Sequence, residues 1–280
     1  MKSEIRPPVK WHGGKYYLCQ KIIPLFPEHE TYLEPFGGGA SVLLNKQPSQ
    51  VEIYNDIDER ITRLFRVIRD EGKELVKLLS LTPYSESEFE RCATYDPSDS
   101  EVEKARKDFV RWRMSIGGRG KGFSFSKHRS RRGMADVVSG FLSSIDSELP
   151  KICERLRTVQ IMQRNAIELI EEWDGENVLI YCDPPYVHSS REKRSTNVYG
   201  NEMSDAEHKQ LGEVLNGCKA KVVLSGYATD LYNDLFSDWT RLEIQISNHS
   251  SSKKTKEKKV EVVWTNFSIR DSGKQLLFET

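Results

Sequence analysis

The stretch TYLEPFGGGASVLLNK, residues 31–46, decides how the chain is to be read. Thr31-Tyr32-Leu33 is β-branched and aromatic, Gly37, Gly38 and Gly39 follow, and ASVLLNK has the composition of a helix start. The unit is strand, glycine turn, helix. Glycines in such a turn let the backbone approach a ligand closely, and the turn lies at the carboxyl end of a strand, where open α/β sheets bind ligands. An acidic residue about 20 positions on commonly takes a ribose hydroxyl pair. Asp56, closing VEIYND, stands at that distance. The spacing is not G-x-G-x-x-G, which favours a single adenosine moiety over a dinucleotide. A tight turn needed only for packing is the competing reading of the glycines.

Outward from this unit, strand-like and helix-like runs alternate. VEIY (51–54) is a strand, and DERITRLFRVIRD repeats Ile61, Leu64, Phe65 and Ile68 at helical spacing. TVQI (158–161), VLIYC (178–182) and KVVLSGY restore strand character, and Ser204 to Glu207 is a capping box whose helix stops near Gly217. RLEIQI and VEVVWTNF read as a closing antiparallel pair joined by a lysine-rich loop. The pattern predicts an α/β fold with a doubly wound, mostly parallel sheet. Residues 84–152 break the alternation with charged helices around GGRGKGFSFSKHRSRRG, which predicts an inserted helical domain between the parts 1–83 and 153–280.

At VLIYCDPPYVHSSR (178–191) an apolar strand ends in Asp183, Pro184, Pro185 and Tyr186. Pro184 pushes Asp183 towards extended backbone, and both prolines fix their own φ and donate no hydrogen bond. This is either a rigid turn or a place where something binds. At the N-terminus, PPVKWHGGK sets Trp11 beside glycines and Lys15, as in a loop closing over a ligand.

Composition narrows the class. No window approaches the roughly 18 apolar residues of a membrane span, and the first residues lack a secretory apolar region. Five cysteines (Cys19, Cys92, Cys153, Cys182, Cys218) form no C-x-x-C pair, which argues for reduced thiols in a cytoplasmic protein and against a zinc site. Formal net charge is zero, yet eleven basic residues between Lys104 and Arg132 face Asp108 alone, and a second run holds Lys253, Lys254, Lys256, Lys258 and Lys259. Two basic islands on a neutral chain suit a polyanionic partner.

KWHGGK, EPFGGGA, NDID and YCDPPY, in that order with a basic insertion before the last, resemble the DNA adenine-N6 methyltransferases of the D12 type over essentially the whole chain. MSDAEH, VVLSGY and VEVVWTNF also look like this group. The resemblance implies a Rossmann-like methyltransferase fold with a seven-stranded sheet and S-adenosylmethionine as cofactor. By motif position Trp11 and Lys15 border the cofactor, Glu34, Phe36, Gly37, Gly38 and Gly39 flank it, Asp56 holds its ribose, and Asn165 is the nearest match for the adenine contact. Ala40 stands where the family's glycine motif ends in glycine. Asp183 and the Pro184 carbonyl would accept the two N–H hydrogens of the adenine N6, with Pro185 stiffening the turn and Tyr186 stacking on a base drawn out of the duplex.

The insertion would be the target-recognition domain, with Arg113, Arg119, Lys121, Lys127, Arg129, Arg131 and Arg132 towards double-stranded DNA. His188, Arg191 and Arg194 follow the motif in a loop that could brace the backbone, and His128 and His188 read as surface residues. No metal and no membrane are expected, and the chain is expected to be a monomer. The alternatives keep the cofactor but change the acceptor to cytosine N4, an RNA adenine or a protein glutamine, or make the chain a non-catalytic DNA-binding module. An acid opening D-P-P-Y favours adenine.

Overall fold

The computed structural model describes residues 5–11, 14–186, 203–246 and 259–269. A short helix, α1 (Cys19–Ile22), leads into β1 (Thr31–Glu34), α2 (Ser41–Asn45) and β2 (Val51–Asn55). The long α3 (Glu59–Ser80) begins a helical stretch that continues with α4 (Glu86–Arg91) and α5 (Glu101–Arg113). A small ribbon, β3 (Ser130–Arg131) with β4 (Met134–Ala135), precedes α6 (Asp136–Ser143) and α7 (Leu149–Leu156). Alternation resumes with β5 (Val159–Met162), α8 (Ala166–Trp173) and β6 (Val178–Cys182). The chain closes with α9 (Asp205–Gly217), β7 (Lys221–Gly226), α10 (Asp230–Leu235), β8 (Thr240–Ile246) and β9 (Lys259–Thr265).

The seven main strands form one sheet in the order β5-β2-β1-β6-β7-β9-β8. The first five run parallel, and β9 lies antiparallel to both of its neighbours. The expected mostly parallel sheet with a closing antiparallel pair is present. Its last strand in sequence, β9, slots between β7 and β8 rather than taking the edge. β1 and β6 are neighbours, Leu33 opposite Ile180, and the chain winds outward from them to either side. That is the topological switch point of an open sheet, where the loops after two adjacent strands part and leave a crevice. The glycine turn and the D-P-P-Y turn leave the sheet there, side by side.

Side chains alternate across the strands and give the sheet two different faces. One face carries Tyr32, Tyr54, Leu179, Tyr181, Val223 and Val263, and its core runs on without a break into α3, α5, α6 and α7 through Phe65, Phe109, Phe141 and Ile152. The other carries Leu33, Ile53, Ile180, Leu224 and Trp264 under α8, α9 and α10. Residues 84–152 break the strand-helix alternation, but their buried side chains belong to the first of these cores. The reason is α3: its apolar stripe is long enough to cover the sheet and to take α5 and α7 as well.

A buried ion cluster ties the sheet to α7. Glu52 on β2 accepts from Lys46 Nζ at 2.6 Å and from the two terminal guanidinium nitrogens of Arg155 at 2.6 and 2.8 Å. Burial alone would raise the Glu52 pKa, but these donors outweigh it and leave it below the ordinary glutamate value. Glu52→Gln removes one partner and strands two buried cations, a change that costs about 3–5 kcal/mol. Because the folded pKa is depressed, wild-type stability from this group is present above the unfolded pKa and lost as pH falls through the folded one. Urea unfolding at pH 7 should therefore show the deficit, and it should shrink in strongly acidic buffer.

Candidate active site

A cleft of about 620 Å³ opens at the carboxyl ends of β1 and β6. Trp11, Lys15, Glu34, Phe36, Gly37, Gly38, Gly39, Asp56, Asn165 and Asp183, scattered over 173 positions of sequence, all line it. The glycines are explained by close approach. A Cβ on Gly37 would lie 2.2 Å from the Tyr54 ring, and one on Gly38, whose φ is +46°, would lie 2.4 Å from the Trp11 indole. Ala40 also adopts a left-handed φ, of 54°. A residue with a Cβ carries a penalty of about 1 kcal/mol there that glycine would escape.

Asp56 secures this turn. Its carboxylate accepts from Gly38 N at 2.8 Å and Asp58 N at 2.9 Å, and burial pushes its pKa up to about 6. Asp58 in turn caps α3 by accepting from Arg60 N. Asn165 is the cap of α8, accepting from Ile167 N and Glu168 N, so its side-chain oxygen is already committed to the helix. Two walls were not anticipated. Trp112, at the end of α5, meets Trp11 edge to face at 5.8 Å and carries the Arg60 guanidinium over its ring at 4.9 Å. Gly118 and Arg119 follow from the same segment, which thus helps to build the cleft itself.

Asp183 leaves β6 on the same face as Tyr181 and is held at one oxygen. Lys15 Nζ donates to Asp183 Oδ1 at 2.6 Å and the Ser225 hydroxyl donates to that oxygen at 3.1 Å. The Ser225 hydroxyl is also paired with the Tyr181 hydroxyl at 2.9 Å. Among the described residues no donor is directed at Oδ2, and the Asp183 side chain, 19% exposed, opens on the cleft. Lys15, expected to border a cofactor, lines the cleft, is 3% exposed and also reaches Tyr186 Oη at 3.1 Å and Glu261 Oε1 at 3.2 Å. Tyr186 stacks on Tyr227 with ring centroids 4.4 Å apart and planes 28° from parallel. In the sequence Ser225, Tyr227 and Glu261 stand out only as parts of VVLSGY and VEVVWTNF. Ser225 and Tyr227 flank Gly226 at the carboxyl end of β7, a position that itself signals a site.

Burial raises the Asp183 pKa, while Lys15 and Ser225 pull it back. For Lys15 burial favours the neutral amine, but Asp183, Tyr186 and Glu261 outweigh it and keep the ammonium charged well above the ordinary lysine range. Glu34 accepts at Oε2 from the Tyr32 hydroxyl at 2.7 Å and from Leu43 N at 3.0 Å, yet burial still pushes its pKa up to about 8. At neutral pH the cleft therefore holds one neutral acid, Glu34, beside the Asp183–Lys15 pair.

The basic island splits in two. Lys104, Arg106 and Lys107 are neutralised by Glu101, by Glu88 and Glu103, and by Asp99, acids that all precede residue 104. Arg113 does not join the candidate DNA-facing residues either. Its guanidinium turns inward to donate to the Gly140 carbonyl at 2.8 Å, and burial lowers its pKa to about 10. Arg119, Lys121, Lys127, Arg129, Arg131 and Arg132 are exposed, as is His128. The last two arginines sit at the tip of the β3–β4 ribbon, where Arg132 and Gly133 have φ of 55° and 75° and form a tight hairpin turn. His188, Arg191, Arg194 and the lysines at 253–258 lie outside the described residues. Among the described residues no helix is long and apolar enough to cross a membrane, and no group of His, Cys, Asp and Glu is placed to hold a metal ion.

Known proteins resemble the chain along nearly all of its length. Residues 11–250 match the family described as D12 class N6 adenine-specific DNA methyltransferase. The Type II methyltransferase M1.LlaDCHI of Lactococcus lactis subsp. cremoris is 26% identical over 286 residues, covering 95% of this chain and 97% of that protein. The DNA adenine methylase of Escherichia coli (strain K12) is 25% identical over 260 residues, 90% of this chain and 92% of the relative. That of Haemophilus influenzae is 20% identical over 287 residues, 96% of each.

Proposed function

The chain belongs to the D12 class N6 adenine-specific DNA methyltransferase family, and we propose that its cleft takes S-adenosylmethionine beside an adenine drawn out of duplex DNA. The observation that carries this reading is the adjacency of two turns at the β1/β6 switch point, one built of glycines closed by Asp56, the other presenting Asp183.

The residues present fit such a cofactor. The cleft volume is in the range of small-molecule sites. The Gly37–Gly38 backbone has room only because no Cβ is present, Phe36, Ile57 and Ile167 supply apolar wall, and each Asp56 oxygen keeps a lone pair beyond its backbone bond. S-adenosylmethionine, when bound, supplies an electrophilic methyl group. Asp56 would hold its ribose hydroxyls. Asp56→Ala is then expected to weaken its binding by about 1.5–3 kcal/mol, the usual loss for a hydrogen bond to a charged group, as read by calorimetry on the DNA-free protein. Unchanged affinity would place the ribose elsewhere.

The adenine amine is a poor nucleophile because its lone pair is delocalised into the ring. Asp183 Oδ2 and the Pro184 carbonyl form an acceptor pair for its two N–H hydrogens, which localises the lone pair for in-line attack. The prolines hold both acceptors rigid, so their dipoles need no reorganisation during reaction. After transfer Asp183, its basicity raised by burial, accepts the surplus proton. Tyr227 backs one face of Tyr186 and lets the other receive the extruded base. The exposed arginines and lysines of 119–132 would grip phosphates, which makes this segment the target-recognition part of the chain.

The test is product analysis. Purified protein is incubated with methyl-labelled S-adenosylmethionine and unmethylated duplex DNA, and the DNA is digested to nucleosides. Label in N6-methyladenine is expected. Label in N4-methylcytosine, in RNA or on protein would assign a different acceptor, and none at all would refute the reading.

A further inference from the structure

We infer that Glu261 is a positioning residue for methyl transfer: it shares the Lys15 ammonium with Asp183 and so keeps the Asp183 carboxylate available to the substrate amine. The inference rests on the role given to Asp183 above. Glu261 does not line the cleft, and its link to Asp183 runs through Lys15.

The strand around it argues that a carboxylate here is not accidental. β9 reads KVEVVWT, and Val262, Val263 and Trp264 are all buried core residues. Glu261 is itself 1% exposed, at a place where valine would satisfy the strand. A buried carboxylate is strongly disfavoured unless it is paired. The register places it beside a cation. Ser225 stands opposite Val263, so Glu261, two residues along, shares a sheet face with Ser225 and projects beside the Asp183 site. Lys15 Nζ lies 2.6 Å from Asp183 Oδ1, 3.1 Å from Tyr186 Oη and 3.2 Å from Glu261 Oε1.

One ammonium divided between two carboxylates binds each less tightly than it would bind one. With Glu261 charged, Asp183 is oriented by Lys15 at Oδ1 without being neutralised by it. With Glu261 neutral, more of the Lys15 charge falls on Asp183, which becomes a weaker acceptor and titrates at lower pH. Among the described residues the titratable groups facing this pair are Glu34 from β1, Tyr181 and Cys182 from β6, Tyr186 from the following turn, Tyr232 from α10 and Glu261 from β9. Burial holds the Cys182 thiol and the Tyr232 hydroxyl above their ordinary values. Glu34 and the tyrosines titrate towards the alkaline side. Asp56, in the same cleft and with its pKa pushed up to about 6, is common to wild type and a Glu261 variant, so the displacement of the acid limb between the two reports on Asp183.

The test compares wild type with Glu261→Gln, which is close to isosteric, after thermal unfolding has shown both folded. In Glu261→Gln, kcat should fall roughly 10- to 100-fold, the scale of a misplaced reacting group, while KM for DNA and for S-adenosylmethionine stays within a factor of about three. The acid limb of kcat against pH should move to lower pH. Independently of activity, 13C NMR of lysine-labelled protein should show the Lys15 pKa lowered. A merely structural role would move neither the limb nor the Lys15 titration, and an unmoved limb with wild-type kcat would overturn the inference. If Glu261→Gln does not fold, Glu261→Asp decides: the limb should stay in place while kcat falls, and an unchanged kcat would overturn it. A wild-type protein that methylates no DNA would refute the functional reading instead, with the NMR titration still judging the Glu261–Lys15 coupling.

Discussion

Asp183→Asn is expected to reduce methyl transfer by a factor of about 100 or more while leaving the fold and most DNA binding in place. The amide keeps an oxygen for Lys15 and Ser225, the two donors that fix the wild-type carboxylate. Its nitrogen then occupies the position of Oδ2 and offers hydrogens where the substrate amine needs an acceptor. An acceptor becomes a donor, and the N6 lone pair is no longer localised. Loss of one preorganised group aimed at a reacting atom commonly costs about 10²–10³ in rate. The substitution also removes one of the two carboxylates beside Lys15 and leaves Glu261 as the remaining anion against the ammonium among the described residues. The result to look for is a collapse of kcat with thermal unfolding near wild type. Turnover within a few-fold of wild type would sink the role given to Asp183.

The parts of this site that could be read from sequence are those in which a local pattern has one physical cause. Three glycines after a strand mean close backbone approach, and the Tyr54 ring and Trp11 indole are what come close. An acid held before two prolines at a strand end means a fixed acceptor. The parallel sheet followed because apolar runs alternate with helical ones, and the capping box at Ser204 and Glu207 is present as read. What stayed hidden depends on distance across the fold. Nothing near Lys15 in sequence reveals that Glu261, 246 positions later, shares its ammonium, because only the insertion of β9 beside β7 brings them together. Arg113 and the α5 lysines are not free surface cations for a related reason. A cation is neutralised by whatever lies beside it in space, here a helix carbonyl or an acid from a neighbouring turn, and a window of sequence does not contain it.

Replacing Arg129, Arg131 and Arg132 together by alanine is expected to flatten the salt dependence of DNA binding by up to about 2.7 in the slope of log K against log salt, since each phosphate contact contributes about 0.9. The structure makes these three a sharper choice than the basic window as a whole. They are exposed, no carboxylate pairs with them among the described residues, and two of them occupy the turn region of the β3–β4 hairpin. Mutating Lys104, Arg106 or Lys107 would instead disturb ion pairs internal to the helices and confuse binding with folding. The turn itself limits the design: Arg132 has a positive φ, which alanine tolerates no better than arginine, so the triple mutant changes charge without adding strain there. S-adenosylmethionine affinity should not move, because none of the three lines the cleft. Contacts to phosphate weaken all DNA sequences alike, whereas an arginine that reads a base edge also relaxes specificity at one position. Titrations of cognate and scrambled duplexes at several salt concentrations separate these outcomes. An unchanged slope and affinity would remove the hairpin from the DNA face and leave the lysine run at 253–259 as the next region to neutralise.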